Sequence, residues 1–323
     1  MTQLIDLLVS TGADEETQRT IKALARDNSE ALDSFLISVG EPLSHDETKA
    51  LVRTHFVRKD PNGRPRIDDL VTWLAHQVID YCVPRTRINE AMAQAQRTGA
   101  AAPFAQLATE ARSLFTPLTN SGEGGELLLF ILLETALGAP QLLTKMSLKT
   151  STKMHVHGSD GIHAKLLDNG NLALYWGESK LHATATSAIS DCFESVAPYL
   201  TDGSSGAAKT DVHLLRDRLD AGTPEVTARL VRYFQNGTRE SGKVEVRAGC
   251  LVGFDLNNYP DPHDAGTGAV TQEVSTAVAN WHGRINERIK HHSLATFEIE
   301  VFCVPVPSVE EFRAALKSRL GLA

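Results

Sequence analysis

Cysteine is scarce and dispersed: Cys82, Cys192, Cys250 and Cys303 form no CxxC pair. Without paired spacing there is no basis for a structural zinc finger, and thiols set among apolar neighbours read as reduced core residues. Long apolar runs are missing as well. The longest, Leu127 to Leu133, is seven residues, whereas crossing a bilayer takes ~20. The start of the chain lacks the basic, apolar, small-residue pattern of a leader, so the sequence predicts a cytoplasmic protein with no membrane partner. Positive charge is in deficit, with 32 Lys and Arg against 40 Asp and Glu and a net charge of −8. A protein that coats nucleic acid needs the reverse balance, so any contact with phosphates must be local or shared with a partner. Low hydrophobicity is not among the deficits: 42% of the 323 residues are hydrophobic, which places the chain among folded globular proteins.

The patterning changes near residue 115. Residues 1–115 read as a mainly helical N-terminal region that braces the remainder or docks a partner. Leu4, Leu7 and Leu8 open one helix, and Ile21, Leu24, Ala25, Ala31, Leu32, Phe35 and Leu36 continue at helical spacing. A breaker-rich loop spans Lys59 to Pro65, and a helix over 67–83 is closed by Pro84. In residues 116–323 a glycine-rich lead-in precedes an apolar helix from about Glu126 to Leu137. Strand-like stretches follow at Lys145 to Thr150, Asp160 to Leu167 and Leu172 to Lys180. A helix over 187–200 comes next, then two more, the second capped by Thr223 with Pro224 behind it. Strands return at 243–256 and 296–304, and Ser308 to Glu311 forms a capping box for a last helix. Helix, three strands, helix, strands predicts an α/β or α+β layered core with a mixed sheet.

Registering the second and third strands gives the sharpest signal. If Asp168-Asn169-Gly170 is a three-residue turn with Gly170 left-handed, Leu166 faces Leu172, Ala164 faces Leu174 and Ile162 faces Trp176. One apolar face then ends with Asp160 opposite Glu178 and Lys180 next in line. A two-residue turn would shift the pairing by one, and a bulge near Gly158 or Gly161 would restore it. Two carboxylates at cross-strand distance repel unless a cation relieves them. Asp160, Glu178 and the Ser179 carbonyl are oxygen donors suited to Mg²⁺ or Mn²⁺, and such an ion activates water for phosphodiester hydrolysis. Lys180 would position or deprotonate that water, or oppose developing charge. The triplet alone means little, since Glu47-Thr48-Lys49 repeats it in a stretch read as helical.

Other polar residues admit two readings. Glu126, beside Leu127 to Leu133, either caps its helix or points into a charged site, with Glu123 as competitor. Lys145, Lys149, Lys153 and Lys165, with His155, His157 and His163, make a local basic strip, either a DNA contact or a solvated sheet edge. His155 and His157 share a strand face and would also suit a zinc hydrolase, although Gly161 stands where such sites place a further histidine.

Gly122-Glu-Gly-Gly-Glu126 before an apolar helix, Lys145-Met-Ser-Leu-Lys149, Gly158-Ser-Asp-Gly161, Trp176-Gly-Glu-Ser-Lys180 and Val301-Phe-Cys-Val-Pro-Val-Pro307 together resemble the HamA-type nuclease subunits of the Hachiman anti-phage system. The resemblance spans residue 50 onward. It implies a PD-(D/E)xK nuclease domain, a bound superfamily 2 helicase subunit (HamB-like) that consumes ATP, and DNA as substrate. It also implies that Asp160 and Glu178 are metal-binding acids, Lys180 the catalytic lysine and Glu126 the helix glutamate of such cores. Ser159 departs from the signature, whose name has proline there. The competing expectation is a nuclease-like subunit that regulates or positions a helicase without cutting.

Overall fold

The computed structural model describes residues 18–44, 47–118, 121–149, 158–202 and 206–322. The expected helix at Leu4 to Leu8 lies outside them, as do Lys153, His155 and His157. The described strands form one mixed sheet. They are β1 (Leu36–Ser38), β2 (Leu43–Ser44), β3 (Ala50–Val57), β4 (Gln141–Leu143), β5 (Gly161–Leu166), β6 (Leu172–His182), β7 (Val244–Asp255) and β8 (Ile299–Val306). Their order is β1-β3-β8-β7-β6-β5-β4, with β2 also on β3. From β3 through β6 neighbours run parallel, while β5 and β4 are antiparallel additions. The central strands explain the parallel part. Ile299–Val306 is nearly all apolar and buried, as strands covered on both faces must be.

Helix α6 (Glu123–Leu137) covers one face and α7 (Ala185–Thr201) the other. On the α6 side glycines allow close approach: a Cβ at Gly249 would stand 2.5 Å from a Leu133 methyl. Trp176 meets Tyr199 of α7 with ring centroids 5.3 Å apart on the opposite side. Odd-numbered positions of β6 therefore face α6 and even-numbered positions face α7. Helix α10 (Gln272–His291) buries Val274, Val278, Trp281, Ile285 and Ile289 as its spacing predicts. Ser308 accepts the Glu311 amide to cap α11 (Val309–Leu320).

Three expectations are corrected. The helical spacing expected to run through Phe35 and Leu36 stops with the helix at Ser29–Asp33, and Leu36 opens β1 instead. Residues 50–57 are not helical: Ala50, Val52, Thr54 and Phe56 alternate as one buried face of β3, and Glu47-Thr48-Lys49 lies in the turn before it. The sheet thus crosses the change in patterning near residue 115. Lys145 to Thr150 is not a strand either. Lys145–Leu148 is a 3-10 turn, and the strand sits earlier at Gln141–Leu143. The lysines at both ends of that segment are drawn into internal ion pairs that an extended edge strand would not reach.

The N-terminal helices are fastened to the core by charge. Glu134 of α6 is 2% exposed. It accepts from the Arg26 amide at 3.0 Å, Arg26 Nη1 at 3.1 Å, Arg85 Nη2 at 3.1 Å and the Gln141 amide at 3.0 Å. Removing one member of such a cluster strands the others, so Glu134→Ala is expected to cost about 3–5 kcal/mol. The drop in urea midpoint measures it, and a surface control such as Glu310→Ala should cost far less.

Candidate functional site

Residues 161–166 pair with 172–177 in the register expected of a three-residue turn: Ile162 faces Trp176, Ala164 faces Leu174 and Leu166 faces Leu172. Gly170 supplies the left-handed residue, with φ of 77°. The ladder stops at the pair Gly161–Gly177, whereas β6 continues to His182. Asp160 does not extend it. Its amide donates to the Gly177 carbonyl at 2.8 Å, so two residues of one strand oppose one of the other, and the bulge re-aims the aspartate. The carboxylate replaces the missing strand: Asp160 Oδ2 accepts from the Ser179 amide at 2.7 Å and from the Ser179 hydroxyl at 3.1 Å. Asp160 therefore sits beside Ser179 rather than squarely across from Glu178. Within a strand the N–H and C=O of one residue point the same way, so the Ser179 carbonyl also faces this gap.

The other predicted residues reach Asp160 from both faces of the sheet. Glu126 on α6 and Asp160 line a cavity of about 130 Å³ together with Tyr81, Glu123, Lys145 and Lys149. Tyr81 donates its hydroxyl to Glu126 Oε2 at 3.0 Å. Glu178 lies on the α7 side, 5% exposed, with Lys180 Nζ 2.5 Å from its Oε1. Glu123 is not a rival for this role. Its carboxylate holds the Thr116 amide at 2.9 Å and Lys149 Nζ at 2.6 Å.

Burial raises all three acids, and Asp160 raises the other two further. The Glu126 carboxyl is pushed up to about 8 by burial and then by Asp160 and Glu123. Glu178 is pushed up to about 7 by burial and then by Asp160. Asp160 is raised by burial, against the pull of the Ser179 bonds and Lys180. Burial works against the Lys180 charge, but Glu178 and Asp160 outweigh it and its pKa is raised. Lys180 is thus held as a cation.

Among the described residues of the basic strip, most are internal. Lys145 is 6% exposed and pairs with Asp211 at 2.7 Å. Lys149 is held by Glu123, and His163 is buried with Nδ1 2.8 Å from the Ala139 carbonyl. Burial lowers the His163 pKa to about 4, which keeps the ring neutral. Lys165 remains partly open beside the Leu137 carbonyl at 3.4 Å. Lys145, Lys149 and His163 therefore do not form a solvated phosphate-binding face. Tyr81 and Asp211 had no sequence signal, since each comes from a helix far from the hairpin.

The donors gathered around Asp160 are all hard oxygens, which suits Mg²⁺ or Mn²⁺ and not a thiophilic ion. Among the described residues no three His, Cys, Asp or Glu side chains make a ready metal-binding group. The Ser179 carbonyl and water would have to complete the coordination, as Mg²⁺ readily permits. Among the described residues no helix is long and apolar enough to cross a membrane. In comparison with known proteins, the HamA family model matches residues 32–320. Curated proteins yield no match.

The raised carboxyls fix the sign of a pH dependence. Glu126 and Glu178 start from 4.5 unfolded and rise to about 8 and about 7 when folded. Across that window the folded chain binds more protons than the unfolded one, so stability falls as pH rises. In chelator, the melting temperature is expected to decline by several degrees between about pH 5 and pH 8. Glu126→Gln should flatten the decline, and a wild-type melting curve indifferent to pH would contradict the electrostatics described.

Proposed function

The chain belongs to the HamA family, whose members are components of Hachiman antiviral defence, and from that premise we propose that it is a metal-dependent DNA nuclease working beside a superfamily 2 helicase subunit. The observation that carries the reading is Asp160, set between Glu126 and Glu178 where all three acids resist ionisation without a cation. A purely structural role has no need of three carboxyls, each raised by burial, at the open end of a hairpin. The order of helix, three strands, three helices and strand around them supports a PD-(D/E)xK core in which two helices are added before the last strand.

A bound Mg²⁺ or Mn²⁺ would supply Lewis acidity and a water more easily deprotonated. Asp160, Glu178 and the Ser179 carbonyl are the groups that would hold it. The residues of the chain have further parts. Lys180, kept protonated by Glu178, opposes negative charge on the phosphate rather than acting as base. Glu126, with its carboxyl near 8, exchanges a proton around neutral pH and is polarised by the Tyr81 hydroxyl. With net charge −8 and Lys145 and Lys149 engaged internally, the grip on DNA falls largely to the helicase partner.

The engagement of those lysines also favours a second reading, a catalytically silent subunit that positions the helicase. One assay separates them. Plasmid DNA incubated with the purified chain and its helicase partner should be degraded with Mg²⁺ and spared with EDTA. Glu178→Ala and Lys180→Ala should each lower the rate at least ~100-fold while retaining the fold in a thermal melt. Wild-type protein that never cuts, with partner, ATP, Mg²⁺ and DNA all present, leaves the silent reading. Bound zinc on metal analysis would instead favour a hydrolase at His155 and His157.

A further inference from the structure

The segment that delivers Asp160 is anchored from behind by a charge cluster that neither the hairpin nor the three acids require. Asp211, on α8 (Gly206–Arg218), is 0% exposed. Its Oδ1 and Oδ2 lie 2.7 Å and 2.8 Å from Lys145 Nζ. Oδ2 also accepts from the Ser159 amide at 3.1 Å and the Ser159 hydroxyl at 3.0 Å. Lys145 in turn donates to the Ser159 carbonyl at 2.7 Å. Both backbone groups of Ser159, the residue before Asp160, are thus held. Gly158 completes the arrangement with φ of 122°, and a Cβ there would stand 2.5 Å from both Lys145 Nζ and Asp211 Oδ1.

We infer that Asp211 is a positioning residue for the metal site: it fixes the Gly158–Asp160 turn through Ser159 and withholds Lys145 from the Asp160 carboxylate. The inference rests on the reading of Asp160 as a metal ligand. Asp211 Oδ2 is committed to Lys145 and Ser159, while Oδ1 touches Lys145 as an ion-pair contact and accepts no hydrogen bond. Its second effect is electrostatic. Lys145 and Asp160 line the same cavity, so Lys145 is a second cation, beside Lys180, free to neutralise that carboxylate if Asp211 releases it. A lysine swung onto Asp160 would compete with Mg²⁺ for the same oxygens. Proline at 159 would lose both the amide and the hydroxyl, which gives Ser159 a physical reason to depart from the signature.

Supporting shells of this kind are worth about 10–100-fold in metal affinity. The test is Mn²⁺ binding to the full-length chain, read by electron paramagnetic resonance, with melting temperature in EDTA and the Mg²⁺ concentration giving half-maximal cutting as parallel readouts. Asp211→Asn should weaken Mn²⁺ binding about tenfold or more. It should raise the Mg²⁺ requirement by a similar factor and change the rate at saturating metal far less. Ser159→Ala keeps the amide bond and should weaken Mn²⁺ a few-fold with little change in melting temperature. It decides the matter if Asp211→Asn fails to fold. Wild-type affinity in the folded variants overturns the inference and leaves the nuclease reading standing. A wild-type chain that binds no Mn²⁺ overturns both.

Discussion

The site depends on one mismatch of length: β6 outruns its antiparallel neighbour. β5 ends at Gly161, opposite Gly177, while β6 continues through Glu178 to His182. An unpaired strand edge inside a protein must find other partners for its amides and carbonyls. Here side chains supply them. Asp160 takes the Ser179 amide, and Arg313 of α11 donates to the Leu181 carbonyl at 2.9 Å. A carboxylate that substitutes for a strand is fixed by backbone geometry, and it places an acid next to a carbonyl facing the same gap. Had β5 run on regularly, Asp160 would have stood across from Glu178 and Ser179 would have been consumed by the ladder.

The second constraint is electrostatic and follows from the first. The gap lies within the layers, so α6 brings Glu126 to one side of Asp160 while β6 holds Glu178 on the other. Ordinary burial of three acids would be resolved by distance or by arginines, and this same fold does so at Glu134, where Arg26 and Arg85 converge. Among the described residues Lys180 and, at one remove, Lys145 offset the charge on Asp160. The contrast between a fully compensated cluster and an undercompensated one, both anchored on α6, separates the acid that serves the fold from the acids left free to serve chemistry.

Much of this was legible because the residues involved are neighbours in sequence. The hairpin register follows from Gly170 and the matched apolar positions at 162, 164, 166, 172, 174 and 176. The long-range pieces were not legible. β3 reads poorly because Arg53, Thr54 and His55 interrupt its apolar residues, and its partner β8 lies some 250 residues away. Lys145 misled for the same reason. Nothing around Lys145 announces Asp211, 66 residues on, so a buried ion pair looked like a solvated edge. The bulge at Asp160 was foreseeable only as one option, because a glycine on either side permits several backbone paths and packing selects among them.

The helices before the core then take on a defined place. Tyr81, from α3 (Val78–Cys82), reaches Glu126, and Arg85, from α4 (Arg85–Thr98), reaches Glu134. These contacts are one turn and three turns along the same face of α6, so a shift of the N-terminal helices bears on both glutamates together. Glu126 sits at the cavity and Glu134 at the buried anchor, where four hydrogen bonds converge. The residues that brace the core are thereby physically continuous with those that set the charge around Asp160.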